Sequence, residues 1–110
     1  MKIDQINPKR NFKCGEKGDI LLSHVANIKL EPDELITFIN DESKEYDVVC
    51  KDWGYYATPS INKRLKNNGY RAAITRNKEG SIYIVLVDEK KIDLWLKYNK
   101  DENQELIKWL

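Results

Sequence analysis

The longest strongly apolar run of the chain, from Ile82 to Val87, spans only six residues. A transmembrane helix needs about 20 apolar residues in a row, so the sequence predicts no membrane span. Four of the six residues are β-branched, which favours a strand. Because neighbouring positions are all apolar, we expect this strand to lie centrally, covered on both faces.

Other segments also have strand character and alternate with turn-forming residues. Strands are predicted over residues 20–30, 35–39, 45–51 and 70–76, with turns at 31–34, 40–44 and 77–80. Asp88 is suited to cap a helix over 89–99, in which Ile92, Trp95 and Leu96 form one apolar stripe. The last five residues are assigned to a terminal strand. Residues 1–19 show no period and are predicted to be an irregular or partly ordered lead-in.

These elements predict the fold class. A chain of 110 residues is long enough for one ordinary domain, so we expect residues 1–110 to form a single α+β domain. Its sheet would be mostly antiparallel because hairpin-length turns join the strands, and one helix would follow near the C-terminus. A small, partly open barrel is the alternative architecture.

Composition and charge exclude several classes of protein. The 19 basic and 18 acidic side chains give a net charge of +1, which excludes a uniformly basic nucleic-acid protein. Two cysteines, Cys14 and Cys50, and one histidine, His24, are too few for a standard Cys/His zinc site. No glycine-rich phosphate loop occurs, so neither a metal nor a cofactor is predicted. The N-terminal residues lack the apolar core of a secretory signal, and we expect a cytoplasmic protein with reduced thiols.

One segment combines the residue types of a binding site. Trp53, Tyr55 and Tyr56 surround Gly54, and a Thr-Pro-Ser turn follows at 58–60. Ser60 is suited to cap a short helix over 61–67. Residues 51–76 carry six basic side chains and one acidic side chain, whereas the rest of the chain is acidic on balance.

This composition predicts a site for an anionic, sugar-containing ligand. Aromatic rings stack on a base or on the apolar face of a sugar, and guanidinium groups bind phosphate or carboxylate in a bidentate manner. The predicted ligand-binding residues are three stacking aromatics, two hydrogen-bonding residues and four cations: Trp53, Tyr55, Tyr56, Ser60, Asn62, Lys63, Arg64, Arg71 and Arg76. Three structural alternatives stand beside this prediction. The aromatics could pack into the core, the helix could simply have a solvated basic face, and Arg71 and Arg76 could pair with the acidic residues of 31–47.

The same block resembles a group of known proteins. The run from Lys51 to Ser60, followed by Asn62, Arg64-Leu65 and Gly69-Tyr70-Arg71-Ala72-Ala73, is similar to small uncharacterised bacterial proteins associated with gene clusters for surface carbohydrate synthesis. The resemblance covers residues 45–87, with a weaker similarity at Trp109-Leu110. It implies a ligand or partner enzyme in cell-envelope glycan synthesis, and it carries over no catalytic residue.

Three functional hypotheses follow, in order of preference. The first is a non-catalytic accessory domain that binds a nucleotide sugar, another anionic small molecule or a biosynthetic enzyme. The second is a single-stranded nucleic-acid module, which also combines a basic groove with aromatics. The third is a small enzyme that uses Asp52, Tyr55 or His24. The sequence favours no catalytic residues and leaves the oligomeric state open.

Overall fold

The computed structural model describes all 110 residues, and the chain forms two compact units, residues 1–59 and 60–110. About half of the chain is strand, arranged in three antiparallel sheets that form no closed barrel. The strands are β1 (Lys2–Cys14), β2 (Ile20–Lys29), β3 (Leu35–Ile39), β4 (Glu45–Lys51), β5 (Gly54–Ala57), β6 (Tyr70–Arg76), β7 (Ile82–Asp88) and β8 (Glu105–Trp109), and the helices are α1 (Arg64–Asn67) and α2 (Ile92–Asp101). The predicted α+β class, mostly antiparallel β with a C-terminal helix, is confirmed. The assignment to a single domain stays a prediction.

The first unit begins with a two-stranded ribbon, β1 paired antiparallel with β2. The prediction of an irregular lead-in is therefore wrong for residues 2–14. The register shifts between Gln5 and Arg10, around Pro8, and a bulge of this kind accommodates a proline in a strand. Because the bulge interrupts the two-residue period, the strand leaves no alternating pattern in the sequence.

The two faces of this ribbon differ in polarity. One face carries the cross-strand pairs Ile3–Ile28 and Phe12–Leu22. On the same face Arg10 lies 4.8 Å from the Phe12 ring centroid and donates from Nε to His24 Nδ1 at 3.3 Å. His24 is thus engaged in contacts within the ribbon.

The same unit contains a three-stranded sheet in the order β3-β4-β5. Strands β3 and β4 have the predicted bounds. Strand β5 was not predicted, because it has only four residues and begins at Gly54, a residue depleted in strands. The two-residue turn Asp52-Trp53 joins β4 to β5 and places Lys51 opposite Gly54.

The second unit contains a sheet in the order β7-β6-β8. Strand β6 is central, and its small residues Ala72, Ala73 and Thr75 are buried. The prediction that β7 lies centrally is wrong. It pairs with β6 along one edge, and Ile84 is 73% exposed. Apolar residues at neighbouring positions therefore did not imply cover on both faces.

Helix α2 closes the second unit. Asp88 accepts a hydrogen bond from the Lys90 amide at 3.0 Å, so it caps a helical segment as predicted, but that segment is a 3₁₀ turn, Glu89–Lys91, and α2 begins only at Ile92. The rings of Trp95 in α2 and Trp109 in β8 lie 5.1 Å apart, and β8 confirms the predicted terminal strand. Helix α2, the longest helix, has ten residues, and none of the helices has the length and apolar character required to cross a membrane.

The predicted helix over 61–67 is shorter in the structure, since α1 begins at Arg64. Ser60 lies before it and accepts from the Arg64 amide at 3.4 Å, so it does not occupy the N-cap position. The helix contributes one side chain to the core, Leu65, which is 1% exposed.

Replacing this core side chain tests the packing of the second unit. We expect Leu65→Ala to lower the free energy of unfolding by about 2–5 kcal/mol, because it leaves a cavity in a fully buried site. Urea unfolding followed by circular dichroism measures the change. Leu94→Ala is the matched control, since Leu94 is 66% exposed and its truncation should change stability by less than about 0.5 kcal/mol. Equal effects of the two substitutions would contradict the assigned burial.

Candidate functional site

The hairpin formed by β4 and β5 presents two aromatic rings to solvent. Trp53 lies in the turn and Tyr56 lies in β5. Their ring centroids are 6.0 Å apart and the ring planes are inclined by 13°. Trp53 is 68% exposed and Tyr56 is 45% exposed. These rings are therefore not core residues, which removes the first structural alternative for them. We call this pair the aromatic platform.

The third predicted aromatic lies on the other face of the sheet. Tyr56 stands opposite Val49 and Tyr55 stands opposite Cys50. Because side chains alternate across a strand, Tyr55 and Tyr56 project to opposite faces. The structure thus brings Trp53 and Tyr56 together and separates Tyr55, which is 69% exposed. Leu35 stands opposite Val49 in β3 and extends the row of the platform. We call the side of the sheet that carries Tyr56, Val49 and Leu35 the platform face.

A carboxylate with two threonine partners occupies the next row of the platform face. Asp47 precedes Val49 by two residues in β4 and stands opposite Thr37. The Thr37 hydroxyl donates to Asp47 Oδ1 at 2.6 Å, and the Thr58 hydroxyl donates to Oδ2 at 3.5 Å. The Thr58 amide also donates to the Asp47 carbonyl oxygen at 3.1 Å. Sequence analysis missed Thr37 and Thr58, because only the register of β3 and the end of β5 place them beside Asp47.

The unit that carries the platform has an acidic segment and one cation next to the platform. Lys51 donates to the Asp33 carboxylate, and this hydrogen bond raises the pKa of Lys51 above its ordinary value. Residues 31–47 contain seven acidic side chains and one basic one. Of the six basic side chains in residues 51–76, only Lys51 belongs to the unit that carries the platform. The other five belong to the second unit.

The other predicted site residues belong to the second unit. Asn62, Lys63 and Arg64 are exposed in the turn before α1 and at its start, and Ser60 is exposed as well. The Ser60 carbonyl accepts from the Leu65 amide at 3.0 Å. These residues make up a short polar and basic segment on the surface of that unit.

Arg71 and Arg76 make contacts within the second unit. The Arg71 guanidinium carbon lies 4.1 Å from the Trp109 ring centroid, and Arg76 pairs with Glu105 at 2.9 Å. Arg76 thus pairs with an acidic residue of β8, whereas the structural alternative named the acidic residues of 31–47 as its partners. Residues 71 and 76 differ in parity along β6, so the two side chains project to opposite faces of that sheet.

The structure gives no metal-binding arrangement. No three His, Cys, Asp or Glu side chains gather where they could hold a metal ion. Cys14 and Cys50 are free thiols, and Cys50 is buried in β4, where its Sγ lies 3.8 Å from the Leu30 carbonyl oxygen.

Comparisons with known proteins add no relative. No family model, curated protein or solved structure matches this chain. The resemblance of residues 45–87 to proteins of surface carbohydrate clusters stays a prediction from the residues themselves.

The turn that carries the platform depends on Gly54. Its φ is +144°, a conformation that essentially only glycine adopts, and no atom lies within 4 Å of the position of an added Cβ. We therefore expect Gly54→Ala to destabilise the unit that contains it through backbone strain alone, by about 1–3 kcal/mol. Chemical denaturation and the Trp53 indole resonance measure the effect. Gly80→Ala, in the β6–β7 turn at φ +91°, is the control: it should cost stability and leave the Trp53 resonance in place. An unchanged Trp53 resonance and unchanged stability in Gly54→Ala would contradict this assignment.

Proposed function

We propose that this protein is an accessory binding module that recognises a sugar-containing ligand through the aromatic platform. The observation that carries the proposal is the pair of nearly parallel rings of Trp53 and Tyr56 on an exposed hairpin. Large aromatic side chains are usually buried for most of their area. The two rings are stacked on each other, and both stay partly exposed, so each exposed ring face is an apolar surface that a ligand ring can cover.

The platform is suited to the C–H face of a sugar ring. Contacts between C–H groups and an aromatic face are individually weak, but several of them form together when a sugar ring covers the exposed face of one aromatic ring. The turn has only two residues, and a short connection limits the conformational entropy that the hairpin loses when a ligand binds. The predicted resemblance to bacterial proteins of surface carbohydrate clusters supports the same class of ligand and a role in cell-surface polysaccharide biosynthesis.

A nucleotide sugar remains the preferred ligand class within this proposal. The sequence prediction assigned its phosphate groups to Lys63 and Arg64, with Ser60 and Asn62 as hydrogen-bonding neighbours, but these residues belong to the second unit and are not part of the platform. Arg71 and Arg76 also belong to the second unit, where Trp109 and Glu105 engage their guanidinium groups.

A single-stranded nucleic acid is the second candidate, since stacked aromatics also bind bases. Glu45 and Asp47 on the platform face count against it, because a phosphate backbone close to two carboxylates would be repelled. Binding of a nucleic acid would also weaken steeply as salt is added, since it releases condensed counterions.

A titration followed by amide NMR tests the proposal. We expect saturable shifts of the Trp53 indole and of neighbouring amides with one member of a panel of nucleotide sugars, and little dependence on salt. Trp53→Ala should weaken binding by about tenfold or more, since stacking on one aromatic is worth about 1–3 kcal/mol.

Tyr55→Ala is the matched control, because Tyr55 lies in the same hairpin, is equally exposed and faces the other side. It should leave the affinity unchanged. Shifts with a single-stranded oligonucleotide alone, lost at high salt, would replace the proposal by the second candidate, and the absence of shifts with either class would refute both.

A further inference from the structure

We infer that the outer edge of β7 is an interaction surface, which pairs antiparallel with β7 of a second copy of this chain about a two-fold axis at Ile84. Such pairing joins the three-stranded sheets of two copies into one continuous sheet. This surface belongs to the second unit and shares no residue with the aromatic platform, so the two proposals are tested separately.

The hydrogen bonds of the β6–β7 hairpin show which backbone groups face the outer edge. Strand β7 pairs with β6 alone, in an unbroken register. The Asn77 amide donates to the Ser81 carbonyl oxygen at 2.9 Å, so Ser81 bonds inward, towards β6. Because hydrogen-bonded and non-hydrogen-bonded pairs alternate along an antiparallel ladder, the amide and carbonyl groups of Ile82, Ile84 and Leu86 point outward.

An axis at Ile84 gives each of these outward residues a partner. Ile84 then stands opposite Ile84 of the second copy, and Ile82 stands opposite Leu86. In each such pair the two residues exchange both N–H···O bonds. A register shifted by two residues takes one outward residue past the end of the ladder, opposite either Asp88 or the turn at 77–80.

The side chains of the outward residues also suit a second copy of the same strand. They project to one face of the sheet, where Ile82 is 65% exposed and Ile84 is 73% exposed. No charged residue lies between Ser81 and Asp88, so the second copy places no like charge opposite. Each apolar side chain instead meets an apolar side chain, and cross-strand pairs of this kind stabilise a sheet.

The other edge of the same sheet is protected by charge. Strand β8 carries Glu105 and Lys108, and charged side chains on an edge strand oppose pairing with another chain. Strand β7 has neither a charge between its ends nor a proline. One open edge and one protected edge favour a closed pair of copies over an open-ended row of them.

The outer edges of the first unit suit a second copy less well. Strand β3 lies within the acidic segment 31–47, so antiparallel copies would bring acidic ends together. Strand β5 has only four residues, and a short edge strand resists pairing. Strands β1 and β2 form a two-stranded ribbon with a register shift, and such ribbons twist strongly.

Sedimentation equilibrium of the wild-type chain tests the pairing. One pair of strands is a small interface, so we expect a dissociation constant of about 10–100 μM. The average mass should rise with concentration from 13.0 kDa towards twice that value and stop there. Amide hydrogen exchange should slow with concentration at Ile82, Ile84 and Leu86, whereas the amides of Tyr83 and Val85 face β6 at every concentration.

Charged substitutions on the axis test its position. Ile84→Lys should weaken the association by about tenfold or more, because two ammonium groups replace the contact between two isoleucines. Ile84→Glu should have the same effect. An equimolar mixture of the two variants should associate more tightly than either variant alone, since opposite charges then meet at the axis. Ile39→Lys is the matched control on the edge strand β3, where Ile39 is 63% exposed, and it should leave the association unchanged.

Four results would overturn the inference. The first is a wild-type protein that stays monomeric at every concentration up to about 1 mM. The second is association that Ile39→Lys abolishes and Ile84→Lys spares, which would assign the contact to β3. The third is a mixture of Ile84→Lys and Ile84→Glu that associates no better than its components, and the fourth is a mass that rises beyond the dimer. If the variants do not fold by circular dichroism, the mass and hydrogen exchange of the wild-type protein decide the matter.

Discussion

Antiparallel pairing of β4 with both of its neighbours is the constraint on which the candidate site depends. Residues that stand opposite each other project to the same face, and successive residues project to opposite faces. This rule places Tyr56, Val49 and Leu35 in one row and Thr37 beside Asp47 in the next. A hairpin this small has little core of its own, and the side chains of its candidate site are arranged by backbone hydrogen bonds more than by packing.

The sequence was sufficient for elements whose pattern is local. Strands β3, β4 and β6 have the predicted bounds because each lies between clear turn signals, and Asp88 caps the C-terminal helical region because that interaction spans two residues. Features that depend on partners distant in sequence were not predictable. The bulge in β1 interrupts the alternating pattern by which a long strand is recognised. The edge position of β7 follows from the pairing of β6 with both β7 and β8, which makes β6 the central strand.

The candidate site shows the same division. Composition identified the segment around Trp53 as unusual, but it could not show whether the rings were buried. Composition also could not show that Tyr55 and Tyr56 project to opposite faces of the sheet, since that depends on the strand β5 that follows the two-residue turn. For the basic residues, the composition suggested a site that the contacts of two arginines do not support. Arg71 and Arg76 contributed to a local excess of charge along the chain, yet the fold uses one against the Trp109 ring and the other against Glu105.

The turn Asp52-Trp53 has a consequence for comparing related sequences. Its length sets the register of β5 against β4, and a shift by one residue exchanges the two faces of a strand. A single inserted residue would therefore bring Tyr55 beside Val49 and send Tyr56 to the far side, with every amino acid of the hairpin retained. The percentage of identical residues between two sequences would hardly change. The spacing between Lys51 and Tyr56 is thus a more informative character for grouping homologues than the identities of the aromatic residues themselves.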